Sequence, residues 1–458
     1  MPEPSVLADP GADPAAHPGA DPVADPGGRR SVPAAGLLAA LVGGVAAALV
    51  VSGLITLISD QGPGGTDQHT AGSQAPRGVA GPHATGTPQR DTATAALLRE
   101  LAQALRERDV RAARAVAGPP AASRLAAVLV RNVARLGIEG LRLRPVAESA
   151  ATADLLRRFG AGTWLAQVRL LWRYAGIDDR SVSSTAQAVL TSTERGAALA
   201  AMQPAVGEQA PSWLLGPLVV ERRDRVRVAA PDRTTAARLL SLASKATSVV
   251  ARRLPGWRGD LVVEAPGSAS RFRAAAGVEA AAARSIAAVT TTADGSTLPG
   301  SPERVFVNPR VFERLGVAGQ EIVLSHEVTH VAVDAAVSSV PAWLSEGFAD
   351  WVALADSRVP VRVLASQALD DVRQRGAPRR LPGRADFGAA DPQLGAAYES
   401  AWLAVRLIAR TYGEAALLRF QRIADRRGSV DVAFRAALGT TEATFTARWR
   451  RELNRLAG

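Results

Sequence analysis

Cysteine is absent from the 458-residue chain. That excludes a disulfide framework, a thiol nucleophile and thiolate-held metal, and it leaves the redox compartment open. Lysine occurs once, at Lys245, so the net charge of +11 is carried by arginine. An alanine- and arginine-rich composition reflects a GC-rich genome, and arginine spread evenly over a surface explains the charge as well as an acidic partner does. No basic patch is interleaved with aromatic residues, so no nucleic-acid partner is expected. Methionine is found only at Met1 and Met202, and histidine only at positions 17, 69, 83, 326 and 330.

What is present changes sharply along the chain. Residues 1–32 repeat Ala, Asp, Pro and Gly, a composition that cannot bury a core, and are expected to be a disordered cytoplasmic tail. Pro33 to Ile58 is uncharged and largely apolar, long enough at 1.5 Å per residue to cross a hydrocarbon layer of ~30 Å. A single transmembrane helix is therefore expected over 33–59. Arg29 and Arg30 precede it and Asp60 follows, an asymmetry that keeps the N-terminus cytoplasmic and puts the C-terminal domains outside the cell membrane. The run exceeds a signal-peptide core and no small-x-small cleavage site follows it. Residues 60–91 have the Gly, Pro, Ser and Thr of a flexible linker.

Two folded regions are expected beyond the linker. Residues 92–230 begin with two or three amphipathic helices and continue into strand-like runs, among them 163–175 with Val168, Leu170 and Trp172 alternating. A hairpin over 217–230 should turn at Arg223 and Asp224. Helices followed by an antiparallel sheet make an α+β domain, similar to the nuclear-transport-factor-two-like cone, with a spacer role. Residues 231–458 open with Asp232 capping a long helix, then strand-like runs near 260–266, 285–292 and 303–308. Helices are expected around 398–411, 413–426 and 441–456, and the arginine-rich segment 371–395 is expected to be a loop.

The stretch Gln320–Trp351 carries the chemistry. It contains H-E-V-T-H, and on a helix His326 and His330, four residues apart, share one face and can reach one metal ion. A histidine pair is also found as an ordinary surface or core pair. Here His17, His69 and His83 fall in Pro/Gly-rich sequence, so the only two histidines of the folded part lie together, flanking Glu327. A catalytic zinc takes three protein ligands and keeps one position open. With no further histidine and no cysteine, the third ligand must be a carboxylate. Pro341 announces a second helix, with Ser338 or Ser339 near its N-cap, that offers Glu346 and, four residues on, Asp350. One can ligate and the other can hold an imidazole by its free N–H.

HExxH followed by E-x-x-x-D in "WLSEGFADW" resembles the gluzincin metallopeptidases, in a peptidase-MA-like branch distantly related to the aminopeptidase-N superfamily. The resemblance runs from near Asp232 to the end. It implies Zn2+ held by His326, His330 and Glu346, Glu327 as general base, and a small sheet against the motif helix whose edge strand, 303–308, pairs with an extended peptide or protein substrate. The aminopeptidase branch also places an oxyanion-binding tyrosine on a downstream helix, which Tyr398 matches. Tyr174 lies in a strand-like run and Tyr412 at a helix end; Tyr412 or an arginine is the alternative donor. That branch reads a free amine with Gly-x-Met-Glu-Asn, which this chain lacks, so an endopeptidase or narrow-specificity hydrolase is expected. Glu321, Glu327 and Asp334 argue against a second membrane span, so the site is aqueous. The other reading is a catalytically silent peptidase-like surface binding module. Oligomeric state is not legible in these residues.

Overall fold

The computed structural model describes residues 87–388, 391–427 and 429–458. The expected tail, the expected span at 33–59 and all but the end of the expected linker lie outside the described residues, as do His17, His69 and His83. Among the described residues no helix is long and apolar enough to cross a membrane.

The described chain is α+β. Helix α1 (Pro88–Glu107) starts inside the expected linker because Thr87 caps it, its side chain accepting from Arg90 N, while Pro88 suits the first turn. With α2 (Val110–Ala115) and α3 (Pro120–Leu136) it covers one face of an antiparallel sheet in the order β1 (Ile138–Ala150), β2 (Thr163–Tyr174), β3 (Val182–Thr193), β4 (Gly196–Pro204). Short α4 (Ala153–Phe159) joins β1 to β2. Period-2 alternation turns Trp164, Val168, Leu170 and Trp172 into one core with Leu98, Leu101 and Leu129 of the helices.

A second sheet runs in the order β5-β6-β7-β9-β8. The hairpin β5 (Val219–Arg223) and β6 (Val226–Ala230) belongs to it, so the sheet begins before residue 231. Arg223 pairs with Val226, which puts the turn at Asp224 and Arg225, one residue later than expected, with Asp224 in the left-handed region at φ 50°. Asp232 accepts from Thr235 N at 2.9 Å and caps α5 (Arg233–Arg253), the crossover that lets β7 (Leu261–Glu264) lie parallel to β6. After α6 (Ala269–Ala276) come β8 (Ala288–Thr292) and β9 (Glu303–Val307). The strand expected at the edge, 303–308, is interior: β9 is parallel to β7 on one side and antiparallel to β8 on the other. The edge is β8. Order along the chain misleads here because β8 is inserted outside the strand that follows it.

A buried polar cluster joins the two sheets. Arg304 of β9 donates to both carboxylate oxygens of Asp178 at 2.7 and 2.6 Å, and Tyr174 O–H donates to Glu264 at 2.7 Å. The remaining elements are helical: α7 (Pro309–Phe312), α8 (Val317–Ala332), α9 (Ala342–Ala353), α10 (Val361–Leu364), α11 (Ser366–Arg375), α12 (Leu394–Tyr412), α13 (Glu414–Arg427), α14 (Val430–Leu438) and α15 (Glu442–Ala457). Part of the expected 371–395 loop is therefore α11. Helix α8 packs on α5, β8 and α9, and α9 packs on α12. Gly347 makes the last contact possible, since a Cβ there would fall on the Ala401 carbonyl of α12. Trp343, Phe420, Phe434 and Phe445 close the far side of α9.

Candidate metal centre

The motif helix is buried on all sides from Val323 to His330, so His326 and His330 are held in a packed interior rather than on a surface. The loop after it does not behave as its serines suggest. Pro341 itself is the N-cap of α9, without a side-chain cap, and Ser338 Oγ donates to Asp425 at 2.6 Å instead.

On α8 and α9 three donor atoms converge. His326 Nε2 lies 2.9 Å from His330 Nε2 and 3.2 Å from Glu346 Oε2, and His330 Nε2 lies 3.5 Å from that oxygen. A tetrahedral ion with bonds of ~2.0–2.1 Å holds its donors ~3.3–3.4 Å apart, inside the observed spread. Among the described residues this is the one group of three or more such side chains whose ligand atoms all lie within 4.8 Å, and it could hold a metal ion.

Asp350 completes the expected pairing. Its Oδ1 is 2.7 Å from His326 Nδ1, the geometry in which an Nδ1–H donates to the carboxylate and Nε2 is turned toward Glu346 and His330. All these groups are buried: His326 and Asp350 are 1 % exposed, Glu327 and His330 0 %, Glu346 3 %. Burial alone would lower the His326 pKa, yet the Asp350 and Glu346 carboxylates hold it well above the usual imidazole range. Burial would raise Glu346, but His330 and then His326 bring it down to about 2.

Glu327 sits beside the donors rather than among them. Burial raises its pKa, and His326, His330 and Thr290 offset part of the rise. Thr290 Oγ1, at the middle of edge strand β8, lies 2.8 Å from Glu327 Oε2 and 3.0 Å from its backbone oxygen, while Oε1 has no hydrogen-bond partner among the described residues. No sequence signal singled out Thr290, because a threonine inside a run of strand formers reads as a strand former.

Of the three tyrosines the structure brings one to the site. The Tyr398 ring centroid is 6.3 Å from that of His326, and Phe387 meets its other side edge-on at 5.1 Å. Burial, then the charges of Glu346, Asp350 and Glu327, push its hydroxyl well above the ordinary phenol range. Tyr412 is at the far end of the same helix, roughly 21 Å away at 1.5 Å per residue, bonded to Arg448. Tyr174 belongs to the cluster between the sheets. Next to Tyr398, buried Glu399 accepts from Ala368 N at 2.8 Å and Gln367 Nε2 at 3.1 Å, tying α12 to the first turn of α11.

No protein-family model, curated protein or solved structure matches this chain. Its chemistry is therefore read from these side chains.

Proposed function

We propose that the chain is a gluzincin-type zinc metallopeptidase, in which His326, His330 and Glu346 hold the ion, Glu327 is the general base and Tyr398 binds the oxyanion. The observation that carries this reading is the convergence of two imidazole nitrogens and one carboxylate oxygen at 2.9–3.5 Å, with one imidazole oriented by Asp350. Two nitrogens and one oxygen suit zinc and leave a coordination position free.

Zinc, when bound, supplies a Lewis acid that lowers the pKa of water to near 7 and polarises the scissile carbonyl. The protein's own groups do the rest. Glu327 takes the proton of the attacking water on Oε1, the oxygen with no protein partner, while Thr290 keeps the other oxygen still. The same carboxyl passes the proton to the leaving amine. Tyr398 stays protonated, as its raised pKa requires, and donates to the oxyanion, a role worth roughly 2.7–4 kcal/mol in comparable sites.

The rest of the reading is supported by sequence. The apolar run at 33–58 between Arg30 and Asp60 favours a single-pass anchor with the catalytic domain outside the cell, and the missing Gly-x-Met-Glu-Asn segment favours an endopeptidase. Helices on a four-stranded antiparallel sheet with bulges in β1 and β4 support a cone-like spacer before the second sheet. One observation favours a silent binding module: the donor set and Glu327 are at most 3 % exposed, so a peptide reaches them only after side chains move.

The two readings separate on one experiment. The wild-type protein and Glu327→Gln are assayed for bound zinc and for hydrolysis of a peptide library. Zinc in both with turnover only in the wild type supports the peptidase. Zinc without turnover in either supports the module, and equal turnover by both shows contaminating activity.

A further inference from the structure

Where the end of α8 meets α9, six segments line an open cavity of about 610 Å³. Val333, just past the end of α8, Phe348 of α9, Trp257 and Leu418 give it apolar walls. Seven of the eight tryptophans are at most 9 % exposed; Trp257 is half-buried, which leaves one indole open to this space. Such walls take an apolar side chain.

Two polar features set the rest of the ligand. Gln421 of α13 lines the cavity, is only 5 % exposed, and its Oε1 has no hydrogen-bond partner. An amide carries both a donor and an acceptor, so a ligand amide satisfies it in either orientation. At the mouth, Asp260 is already taken by Arg225 at 2.6 Å, and the Arg258 Nε contact to it is long, at 3.9 Å. The Arg422 guanidinium donates only to the Leu418 carbonyl, at 3.2 Å, and among the described residues meets no carboxylate. Arg258 and Arg422 thus outnumber the single unengaged acid, Asp179, and select a negative group.

We propose that this cavity binds a ligand with an apolar side chain, an amide and a terminal carboxylate: an N-acyl amino acid, or the C-terminal residue of a peptide. The site goes beyond the hydrolase reading and does not depend on it. Isothermal titration of the full-length protein with N-acetyl-L-leucine should show saturable binding at millimolar concentration. Affinity should fall about tenfold in Gln421→Leu, in Arg422→Gln, and when N-acetyl-L-leucinamide replaces the acid. The acid and amide probes are compared on unaltered protein, so that arm survives if a variant fails to fold. Tighter binding of a pentapeptide ending in leucine assigns the ligand to a peptide terminus, and equal binding to the free acyl amino acid. Absence of saturable heat, or equal affinity for acid and amide, overturns the proposal.

Discussion

Replacing Thr290 by valine removes one hydroxyl and little volume from a side chain that is 0 % exposed. Among the described residues that hydroxyl is the one hydrogen-bond donor to the Glu327 side chain, since it bonds Oε2 at 2.8 Å and Oε1 has no partner. A hydrogen bond to a charged acceptor contributes ~1.5–3 kcal/mol, and 1.36 kcal/mol corresponds to one pKa unit. The Glu327 carboxyl, already raised by burial, should therefore rise by a further ~1–2 units. A general base must be ionised, so the acid limb of kcat/KM, which reports the free enzyme, should move to higher pH by that amount. Well below the limb, activity falls roughly 10–100-fold. Far above it, only the loss of orientation remains. Thr290 touches none of the three donor atoms, so zinc content should be unchanged, and Thr290→Ser should restore the wild-type profile. The assay is a pH–rate profile on one peptide substrate with zinc measured on the same samples. An unshifted acid limb in Thr290→Val would refute the assignment of Glu327 as the base held by β8.

Other outcomes follow from neighbouring contacts. Tyr398→Phe should lower kcat by more than ~10-fold with zinc retained, which separates an oxyanion donor from a packing ring. Glu346→Gln should weaken zinc retention, read by dialysis against a chelator; wild-type retention would mean that another side chain completes the donor set. Gly347→Ala should destabilise by at least ~1–3 kcal/mol in thermal melts, because the new Cβ meets the Ala401 backbone, and should lower activity by separating Glu346 from Tyr398. Glu399, pushed by burial from the ordinary carboxyl value of 4.5 up to about 8, contributes stability that is full below pH ~4.5 and is lost as pH rises through about 8. Glu399→Gln should therefore gain on the wild type by on the order of a few kcal/mol between pH 5 and 9, and parallel melting curves would remove that role.

The donor residues were legible because their chemistry is local. His326 and His330 are brought together by one helical turn, and Glu346 and Asp350 by another, so spacing alone sets each pair. What spacing cannot give is the approach of one helix to another. The contact of α9 with α12 depends on Gly347, whose neighbour Ala401 is 54 positions away, and nothing near Gly347 in the chain announces it. Sheet order failed for the same reason. The strand at 303–307 was recognisable, but its interior place depends on β8 passing outside it. Strand β4, "GAALAAMQP", escaped notice because alanine carries neither β-branching nor a clear alternation, and its place comes from pairing with β3. Helix α11 was hidden in an arginine-rich segment whose N-terminus is held by Glu399, 33 positions beyond Ser366.

Burial of the centre bears on what it is for. Glu327, Glu346 and Asp350 place three carboxyl groups in a space where each is at most 3 % exposed, and the groups facing them are the imidazoles of His326 and His330. A buried unpaired charge costs several kcal/mol, so three carboxyl groups gathered there call for a cation among them. A divalent cation offsets two of the three negative charges and lets both imidazoles be neutral ligands. The remaining carboxyl is then free to trade a proton. Thr290 of β8 holds Glu327, Asp350 of α9 holds His326, and Gly347 of the same α9 lets α12, which carries Tyr398, come close. Separate supports for a base, a ligand and an oxyanion donor are what the proposed hydrolysis demands, whereas a structural ion needs only its ligands.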